Sequence, residues 1–286
     1  MLTIINRIKC NLNFILLSAA LVSAAAVAET PSDPDLTALT EHSFRSAEDK
    51  ARNQYRHPVE TLSFFGIKPT MSVLEIWPAR GWYTEILGPY LKEQGKLSIA
   101  NFRVDDGTMQ DDRKIFWSRI SEKLSQHILK HKEHFGTIQQ TEFDPPAYMY
   151  LGLVQQYDLV LSFRNAHIWN EQGYLLDVFR AVFDVLKPGG VFGIVEHRAS
   201  RVSEISSSAV EGYLDESYVI AVAEQAGFKL VAKSEINANP KDTKDYPKGV
   251  YALPPTLAMG TVDRAKYLAI GESDRMTLKF VKAASE

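Results

Sequence analysis

Short apolar runs of strand length alternate with helical stretches along most of this chain, and this alternation restricts the possible fold more than any other feature. A chain with this pattern buries a mostly parallel sheet between two layers of helices. We therefore expect an α/β fold with a doubly wound, mostly parallel seven-stranded sheet. Its strands are predicted at residues 72–77, 96–102, 137–143, 157–163, 191–196, 228–234 and 275–281.

Helical periodicity fills most of the segments between these strands. One or two N-terminal helices are expected within residues 41–65. The segment 237–259, before the last strand, is rich in Pro, Lys and Asp and is too long for a plain connection, so it is expected to be a long loop that acts as a lid or an insertion. Further helices are predicted at residues 82–91, 111–134, 174–186 and 216–226.

The first 28 residues have the order of a secretory signal peptide. Arg7 and Lys9 precede an apolar run at 14–22, and Ala26-Val27-Ala28 has the small residues of a cleavage site. The apolar run is shorter than the about 20 residues that a membrane-spanning helix needs. We expect cleavage after Ala28, a periplasmic or secreted protein, and no membrane partner after cleavage.

Residues 29–40 are predicted to be a flexible leader, and residues 41–286 a single domain. The one cysteine, Cys10, lies in the predicted signal, so the mature protein would have no thiol. That excludes disulfides, a cysteine nucleophile and cysteine-ligated zinc. The 32 Lys and Arg residues are balanced by 35 Asp and Glu residues, which argues against a nucleic-acid partner and favours a small-molecule substrate. The sequence sets no oligomeric state.

Four motifs follow one another in the order of a known family: VLEIWPARG at 73–81, YDLV at 157–160, LKPGG at 186–190 and AGF at 226–228. With them the chain resembles the class I S-adenosylmethionine-dependent methyltransferases. The segments 75–87, 162–167, 195–198 and 239–242 are similar to a narrower group of exported bacterial proteins described as predicted methyltransferases. The resemblance covers about residues 40 to 282.

The resemblance implies a Rossmann-like class I methyltransferase fold and S-adenosylmethionine as the cofactor. In this family an acidic residue at the end of the first strand organises the amino end of the methionine moiety, and a glycine-rich turn lets the backbone approach the cofactor. A second acid, after the second strand, binds the ribose hydroxyls. Carried over residue by residue, the implied cofactor-binding set is Glu75 as the first acid, Trp77, Ala79 and Gly81 at the glycine positions, Asn101 at the ribose position, and Asp144 as a partner for adenine.

The chain departs from the family pattern at three of these positions. The side chains of Trp77 and Ala79 occupy space that the family leaves open, and Arg80 between Ala79 and Gly81 brings a cation near the place of a sulfonium. Asn101 replaces the ribose acid, although an amide can still hydrogen-bond a hydroxyl. Arg80 is also a candidate for binding a carboxylate or a phosphate.

The candidate catalytic residues are Asn165, His167 and His197. Asn165 and His167 follow the fourth strand and His197 ends the fifth, at the carboxyl edge where open α/β sheets bind ligands. His167 has the chemistry of a general base for a hydroxyl or amine acceptor. Because successive strand residues point to opposite faces, Glu196 and His197 are not expected to share a role. No metal is predicted, since the two histidines lack the spacing of a helix-borne pair.

Two functions remain open at this stage. The first is transfer of a methyl group from S-adenosylmethionine to an unknown small molecule. The second is an exported, diverged or non-catalytic protein of the same fold that binds another nucleoside-like or anionic ligand, because S-adenosylmethionine is made in the cytosol. Hydrolysis by His167 or His197 is a weaker alternative, since no Gly-x-Ser-x-Gly elbow is present.

Overall fold

The computed structural model describes residues 33–200 and 211–283. Within them the seven predicted strands form one sheet in the order β3-β2-β1-β4-β5-β7-β6. Only β7 runs antiparallel to its neighbours β5 and β6. The strands are β1 (Ser72–Ile76), β2 (Lys96–Asn101), β3 (Gln139–Glu142), β4 (Tyr157–Phe163), β5 (Leu186–His197), β6 (Phe228–Ser234) and β7 (Arg275–Lys282).

Helices cover both faces of this sheet, which confirms the doubly wound prediction. They are α1 (Pro34–Thr40), α2 (Ala47–Ala51), α3 (Asn53–Arg56), α4 (Pro58–Phe65), α5 (Thr84–Leu91), α6 (Asp112–Lys130), α7 (Lys132–Phe135), α8 (Ala166–Glu171), α9 (Leu175–Val185), α10 (Glu216–Gln225) and α11 (Arg264–Ile270).

The alternation of side chains along the strands divides the core into two layers. Leu74 of β1 packs in the layer formed with α9 and α10, for example against Val178, and its neighbour Val73 packs in the layer formed with α4 to α7, for example against Ile86. Both strand residues are fully buried. Strand β1 is therefore buried on both faces, as is typical of a parallel sheet.

Residues 34–40, which the sequence assigned to a flexible leader, form helix α1. The side chain of Asp33 caps this helix by accepting hydrogen bonds from the backbone N–H groups of Asp35 and Leu36. Asp33 also accepts a 2.6 Å hydrogen bond from the hydroxyl of Tyr90 on α5. Residues 33–40 of the predicted leader thus form a capped helix rather than a mobile linker. Residues 29–32 and the predicted signal peptide (residues 1–28) lie outside the described residues.

Two further segments differ from the prediction. β5 begins at Leu186 rather than at residue 191, because Leu186 already pairs with Tyr157 across an irregular step of the ladder. The long connection between β6 and β7 is present, but it contains a 3₁₀ helix (Gly249–Ala252) and α11. Its side chains also form a small core of their own, around Tyr246, Leu253 and Tyr267.

Candidate active site

A pocket opens at the carboxyl edge of the sheet between β1 and β4. The chain continues from β1 toward β2 and β3 on one side and from β4 toward β5 on the other, so this is the point where the strand order reverses. Open α/β sheets bind their ligands at such switch points. The pocket wall is formed by residues that follow both strands, by the region of α2 and α3, and by the loop around Tyr251.

The turn after β1 keeps an unusual backbone. Trp77, Ala79 and Gly81 all have left-handed φ angles, of 45°, 55° and 82°. Each non-glycine residue in this region costs roughly 1–3 kcal/mol, so such residues persist mainly where the surrounding structure holds them. The φ of Gly81 would strain any L side chain, and a Cβ there would also lie 2.5 Å from Cδ1 of Leu124, so the structure favours glycine at this last position.

Glu75 is buried at the end of β1 and lines the pocket. Its Oε2 accepts a 2.7 Å hydrogen bond from the hydroxyl of Thr84, at the start of α5. Burial raises the pKa of Glu75 to about 7, and the hydrogen bond from Thr84 partly opposes this shift. A change of pH near neutrality therefore changes the charge of this wall of the pocket.

Trp77 points from the turn toward the ends of β2 and β3. Its indole N–H donates a 2.8 Å hydrogen bond to the carbonyl oxygen of Phe143, and its ring stacks on Phe102 at a centroid distance of 4.3 Å. Phe102 follows Asn101, and Phe143 precedes Asp144. The indole therefore fills the space between the two positions that the resemblance assigned to ribose and adenine binding.

Asn101 and Asp144 do not line the pocket. The side chain of Asn101 turns toward α6, where it accepts a 3.0 Å hydrogen bond from Ser121 and donates one of 3.3 Å to Ser125. Asp144 forms a 2.8 Å ion pair with Lys114, also on α6. Both side chains are held by α6, whereas Glu75, Trp77, Ala79 and the three candidate catalytic residues share the pocket wall.

The three candidate catalytic residues meet at the ends of β4 and β5. The amide of Asn165 donates a 2.9 Å hydrogen bond to the carbonyl oxygen of Ile76, which ties the β4–α8 loop to the end of β1. The rings of His167 and His197 lie with their centroids 5.2 Å apart. Asn165 thus positions the loop, and the two imidazoles face one region of the pocket.

Glu196 is the functional candidate that the sequence reasoning missed. It is fully buried, and its Oε1 lies 2.9 Å from Nδ1 of His167. The same carboxyl group also accepts hydrogen bonds from the backbone N–H groups of His167 and His197. The sequence predicts that Glu196 and His197 do not share a role, but at the end of β5 both lie beside His167. Glu196 contacts its ring, and the ring of His197 faces it.

His197 is surrounded by cations. Burial, followed by the nearby His167, Arg164, Arg275 and Arg56, holds the pKa of His197 well below its usual value, so its ring is neutral. Its Nδ1 is paired with the hydroxyl of Ser273 at 2.6 Å. His197 is therefore a neutral hydrogen-bonding group, which makes His167 the better candidate for proton transfer.

His167, Glu196 and His197 also place three ligand-type atoms within 4.8 Å of one another. In this arrangement the oxygens of Glu196 already accept three hydrogen bonds. The neighbouring arginines also oppose a cation, as they oppose protonation of His197. The geometry favours an acid–base pair over a metal centre.

No known family model and no curated protein matches the sequence. Several solved structures do match the fold. A SAM-dependent methyltransferase from Aquifex aeolicus aligns with a TM-score of 0.53 at 14% identity, over 88% of this chain and 100% of that chain. The fold is that of the class I methyltransferases.

Two further structures support the same fold at similar distance. The [4+2]-cyclase SpnF aligns with a TM-score of 0.55 at 12% identity, over 86% of each chain. A SAM-dependent methyltransferase from Methanosarcina mazei aligns with a TM-score of 0.50 at 9% identity, over 78% of this chain and 98% of that chain. A cyclase among methyltransferases illustrates that the fold alone does not define the reaction.

Proposed function

We propose that this protein is an exported S-adenosylmethionine-dependent methyltransferase that acts on a small-molecule acceptor. The turn after β1 carries the proposal, because Trp77 and Ala79 have left-handed backbone at the positions where the resemblance places glycines. Strained backbone is characteristic of functional sites. The solved structures described as SAM-dependent methyltransferases support the same choice of cofactor.

The residues around Glu75 fit the amino-acid half of S-adenosylmethionine. A carboxylate at this position pairs with an ammonium group, and burial strengthens that attraction. Residues Trp77 to Arg80 of the turn line the same pocket, whereas Gly81 does not. Glu75 and the turn therefore hold and orient the methionine moiety.

The nucleoside half needs a rearrangement of Trp77. The indole ring occupies the space between Phe102 and Phe143, so a nucleoside enters only when this ring turns out of it. Turning the ring breaks one hydrogen bond and one aromatic stack, which lowers the net affinity for the cofactor. We therefore expect weaker binding than a glycine at position 77 would allow.

The bound cofactor would supply an activated methyl group, and the protein's part is to align the acceptor and remove its proton. A carboxylate of Glu196 can only accept hydrogen bonds, so the proton between it and His167 resides on Nδ1 of His167. Nε2 is then the basic nitrogen of that ring. His167 accordingly acts as the general base for a hydroxyl or amine acceptor, and Glu196 sets its tautomer and orientation.

Export is the second part of the proposal. It is supported by the sequence of residues 1–28, which precede the described part of the chain. Among the described residues, no helix is long and apolar enough to cross a membrane. N-terminal sequencing of the protein from the periplasm or the medium tests this part, and a mature N-terminus at Glu29 is expected.

Methyl transfer is tested with S-adenosylmethionine that carries a labelled methyl group. The purified protein is incubated with this cofactor and with small-molecule extracts, and the products are analysed by mass spectrometry. A labelled small molecule is expected with the wild-type protein and not with His167→Ala. Label transfer that is equal in both proteins would remove His167 as the base, and no transfer in any extract would count against the activity.

A second candidate function is favoured by the position of Trp77. A pocket whose nucleoside half is filled by an indole suits a diverged protein that binds another nucleoside-like or anionic ligand and transfers no methyl group. Exposed Arg80 at the pocket rim would then attract the ligand. Arg80→Gly separates the candidates: it should strengthen binding of a sulfonium cofactor and weaken binding of an anion.

A further inference from the structure

The pocket wall holds more positive charge than its own carboxylates neutralise. Four arginines surround the single carboxylate of Glu272, and we call this group the arginine cluster: Arg52, Arg56, Arg164 and Arg275 around Glu272. Arg52, Arg56 and Arg164 line the pocket. The whole cluster draws on three separate parts of the chain, at 52–56, 164 and 272–275, so the fold brings together charges that no local pattern in the sequence links.

The contacts within the cluster are close. Nε of Arg52 lies 2.8 Å from Glu272, and Nε of Arg56 and Nη1 of Arg275 each lie 3.0 Å from it. Arg164 is further away, with Nη1 at 3.8 Å. One carboxylate has room for about four hydrogen bonds, so it cannot satisfy all the donors of four guanidinium groups.

The charges of the cluster persist at neutral pH, because a guanidinium is not deprotonated in proteins, although burial, followed by Arg164, lowers the pKa of the buried Arg56 well below its usual value. Burial opposes ionisation of Glu272, but the four arginines outweigh burial and hold the pKa of this carboxyl group well below its usual value. Burial lowers the pKa of Arg164 to about 10, with Glu272 partly opposing the shift, so Arg164 remains charged at neutral pH. The cluster therefore retains an excess of cationic groups.

The cluster contains unused hydrogen-bond donors and strained backbone. Nη2 of Arg52 is buried and has no hydrogen-bond partner among the described residues, and Nε of Arg275 has none either. Arg164 has a left-handed φ of 64°, a conformation that L-residues rarely adopt. It directly follows Phe163, whose ring stacks on Tyr83 at 3.6 Å. That stack fixes the backbone from which Arg164 extends.

The cluster adjoins the proposed base rather than the proposed ammonium site. Ser273, next to Glu272 in the chain, bonds to the ring of His197, which faces His167. Arg56, Arg164 and Arg275 each lower the pKa of His197, whereas no arginine contributes to the pKa of Glu75. An anion at the cluster would therefore lie beside the groups that handle the acceptor.

We propose that the arginine cluster binds an anionic oxygen group, a carboxylate or a phosphate, that belongs to the methyl acceptor. Planar guanidinium groups match both anions through paired hydrogen bonds. Bound in this way, the acceptor would present a hydroxyl or amine near its anionic group to His167. The assignment of the anion to a methyl acceptor rests on the proposed methyltransferase function, but anion binding at the cluster can be tested without that function.

The test is a calorimetric titration of the purified full chain with inorganic phosphate, with acetate and with S-adenosylmethionine. The variants are Arg52→Gln and Arg164→Gln, which remove pocket-facing members from two different elements. Arg180→Gln is the matched control, because Arg180 is an exposed arginine on α9 that pairs with Asp177. Circular dichroism verifies that each variant is folded, and either pocket variant is sufficient if the other does not fold.

Phosphate or acetate is expected to bind wild type and Arg180→Gln equally, and about tenfold more weakly to each pocket variant. The affinity for S-adenosylmethionine should be the same in all four proteins. Equal anion binding in all four, or no saturable binding of either anion, overturns the site. If both pocket variants instead lose affinity for S-adenosylmethionine, the cluster serves the methionine carboxylate and the acceptor assignment is wrong. Anion binding without any cofactor binding supports the site and overturns the proposed function.

Discussion

Nδ1 of His167 lies 2.9 Å from Oε1 of Glu196, and neither side chain is more than 3% exposed. His167 lies in the first turn of α8, just after β4, and Glu196 lies at the end of β5. The parallel pairing of β4 and β5 brings the two residues together. A buried carboxylate that accepts from one imidazole nitrogen leaves the other nitrogen as a base. The pair therefore gives the site a group that can remove a proton from an acceptor.

Glu196→Gln should disturb the tautomer of His167 while it preserves the shape of the pair. A glutamine amide can donate as well as accept, so Nδ1 no longer has to carry the proton. We predict a single Nδ1–H tautomer of His167 in the wild type and a mixture in the variant, measured by long-range ¹H–¹⁵N NMR. Methyl transfer should fall by about 10²-fold or more. An unchanged tautomer and rate would show that Glu196 only supports the strand end.

Binding of S-adenosylmethionine should strengthen as the pH rises through about 7. Burial raises the pKa of Glu75 to about 7, and only the ionised carboxylate attracts the ammonium group. Calorimetric titrations between pH 6 and pH 8 measure the slope. Glu75→Gln should bind about tenfold more weakly, with no slope in this range. A slope that survives in Glu75→Gln would assign the titration to another group.

The same shift of Glu75 has an opposite consequence for folding. Because its pKa is higher in the folded than in the unfolded state, its contribution to stability is fully present below about pH 4.5. That contribution, on the order of 3 kcal/mol, is lost as the pH rises through about 7. The free energy of unfolding, measured with denaturant, should therefore depend differently on pH in the wild type and in Glu75→Gln. Glu85→Gln should change the pH dependence of unfolding in the same direction, since burial also raises the pKa of Glu85 to about 7. It should leave the pH dependence of cofactor binding unchanged, because Glu85 does not line the pocket.

Trp77→Gly should strengthen cofactor binding and weaken the fold. It removes the ring that fills the nucleoside half and relieves a left-handed backbone. Loss of a buried tryptophan costs about 3–5 kcal/mol, from which about 1 kcal/mol of backbone strain is recovered. We predict at least about tenfold tighter binding of S-adenosylmethionine together with a lower melting temperature.

Asn101→Asp serves as the contrasting variant. It restores the family's ribose acid in the sequence, but the side chain at position 101 faces Ser121 and Ser125 on α6. We therefore predict no gain in cofactor affinity and a lower melting temperature. Tighter binding by Asn101→Asp would show that this side chain reaches the cofactor.

A group of histidines around Phe44 should make the fold less stable in acid. The ring of Phe44 stacks on His134 at 3.9 Å and lies near His127. Burial, together with nearby cationic groups, lowers the pKa of both histidines. Groups with a depressed folded pKa stabilise the protein above the unfolded pKa of about 6.5, and that contribution is lost as the pH falls through the folded value.

Denaturant unfolding between pH 7 and pH 5 measures this effect. His134→Asn should reduce the loss of unfolding free energy on acidification. His57→Asn is the control, because His57 lies outside this group and its left-handed backbone suits asparagine. Parallel curves for wild type and His134→Asn would contradict the assignment.

The central strands β1 and β4 were predictable because almost all their residues are buried, and the edge strand β6 because its more buried and exposed residues alternate. The predicted boundaries of β1, β4 and β6 agree with the structure to within one residue. The short helices were harder. Helix α11 starts at Arg264, and the preceding residue, Asp263, makes no side-chain capping hydrogen bond to it. Helix α1 has such a cap at Asp33, but its surrounding composition resembles a linker.

The site was predictable only in part, for a geometric reason. Glu75, Asn165 and His167 follow from their place at strand ends, and the structure puts all three in the pocket wall. The contact of Glu196 with His167 depends on how β5 ends, which alternation along a strand does not describe. The contact of Arg52 with Glu272 joins positions 220 residues apart, and no local pattern encodes it.

Titration of the purified protein with S-adenosylmethionine, followed by heat and by melting temperature, tests directly whether the pocket binds this cofactor. Saturable binding at one site is expected in the wild type, and tighter binding in Trp77→Gly. No heat and no change in melting temperature at millimolar cofactor, in either protein, would show that this pocket is not a cofactor site.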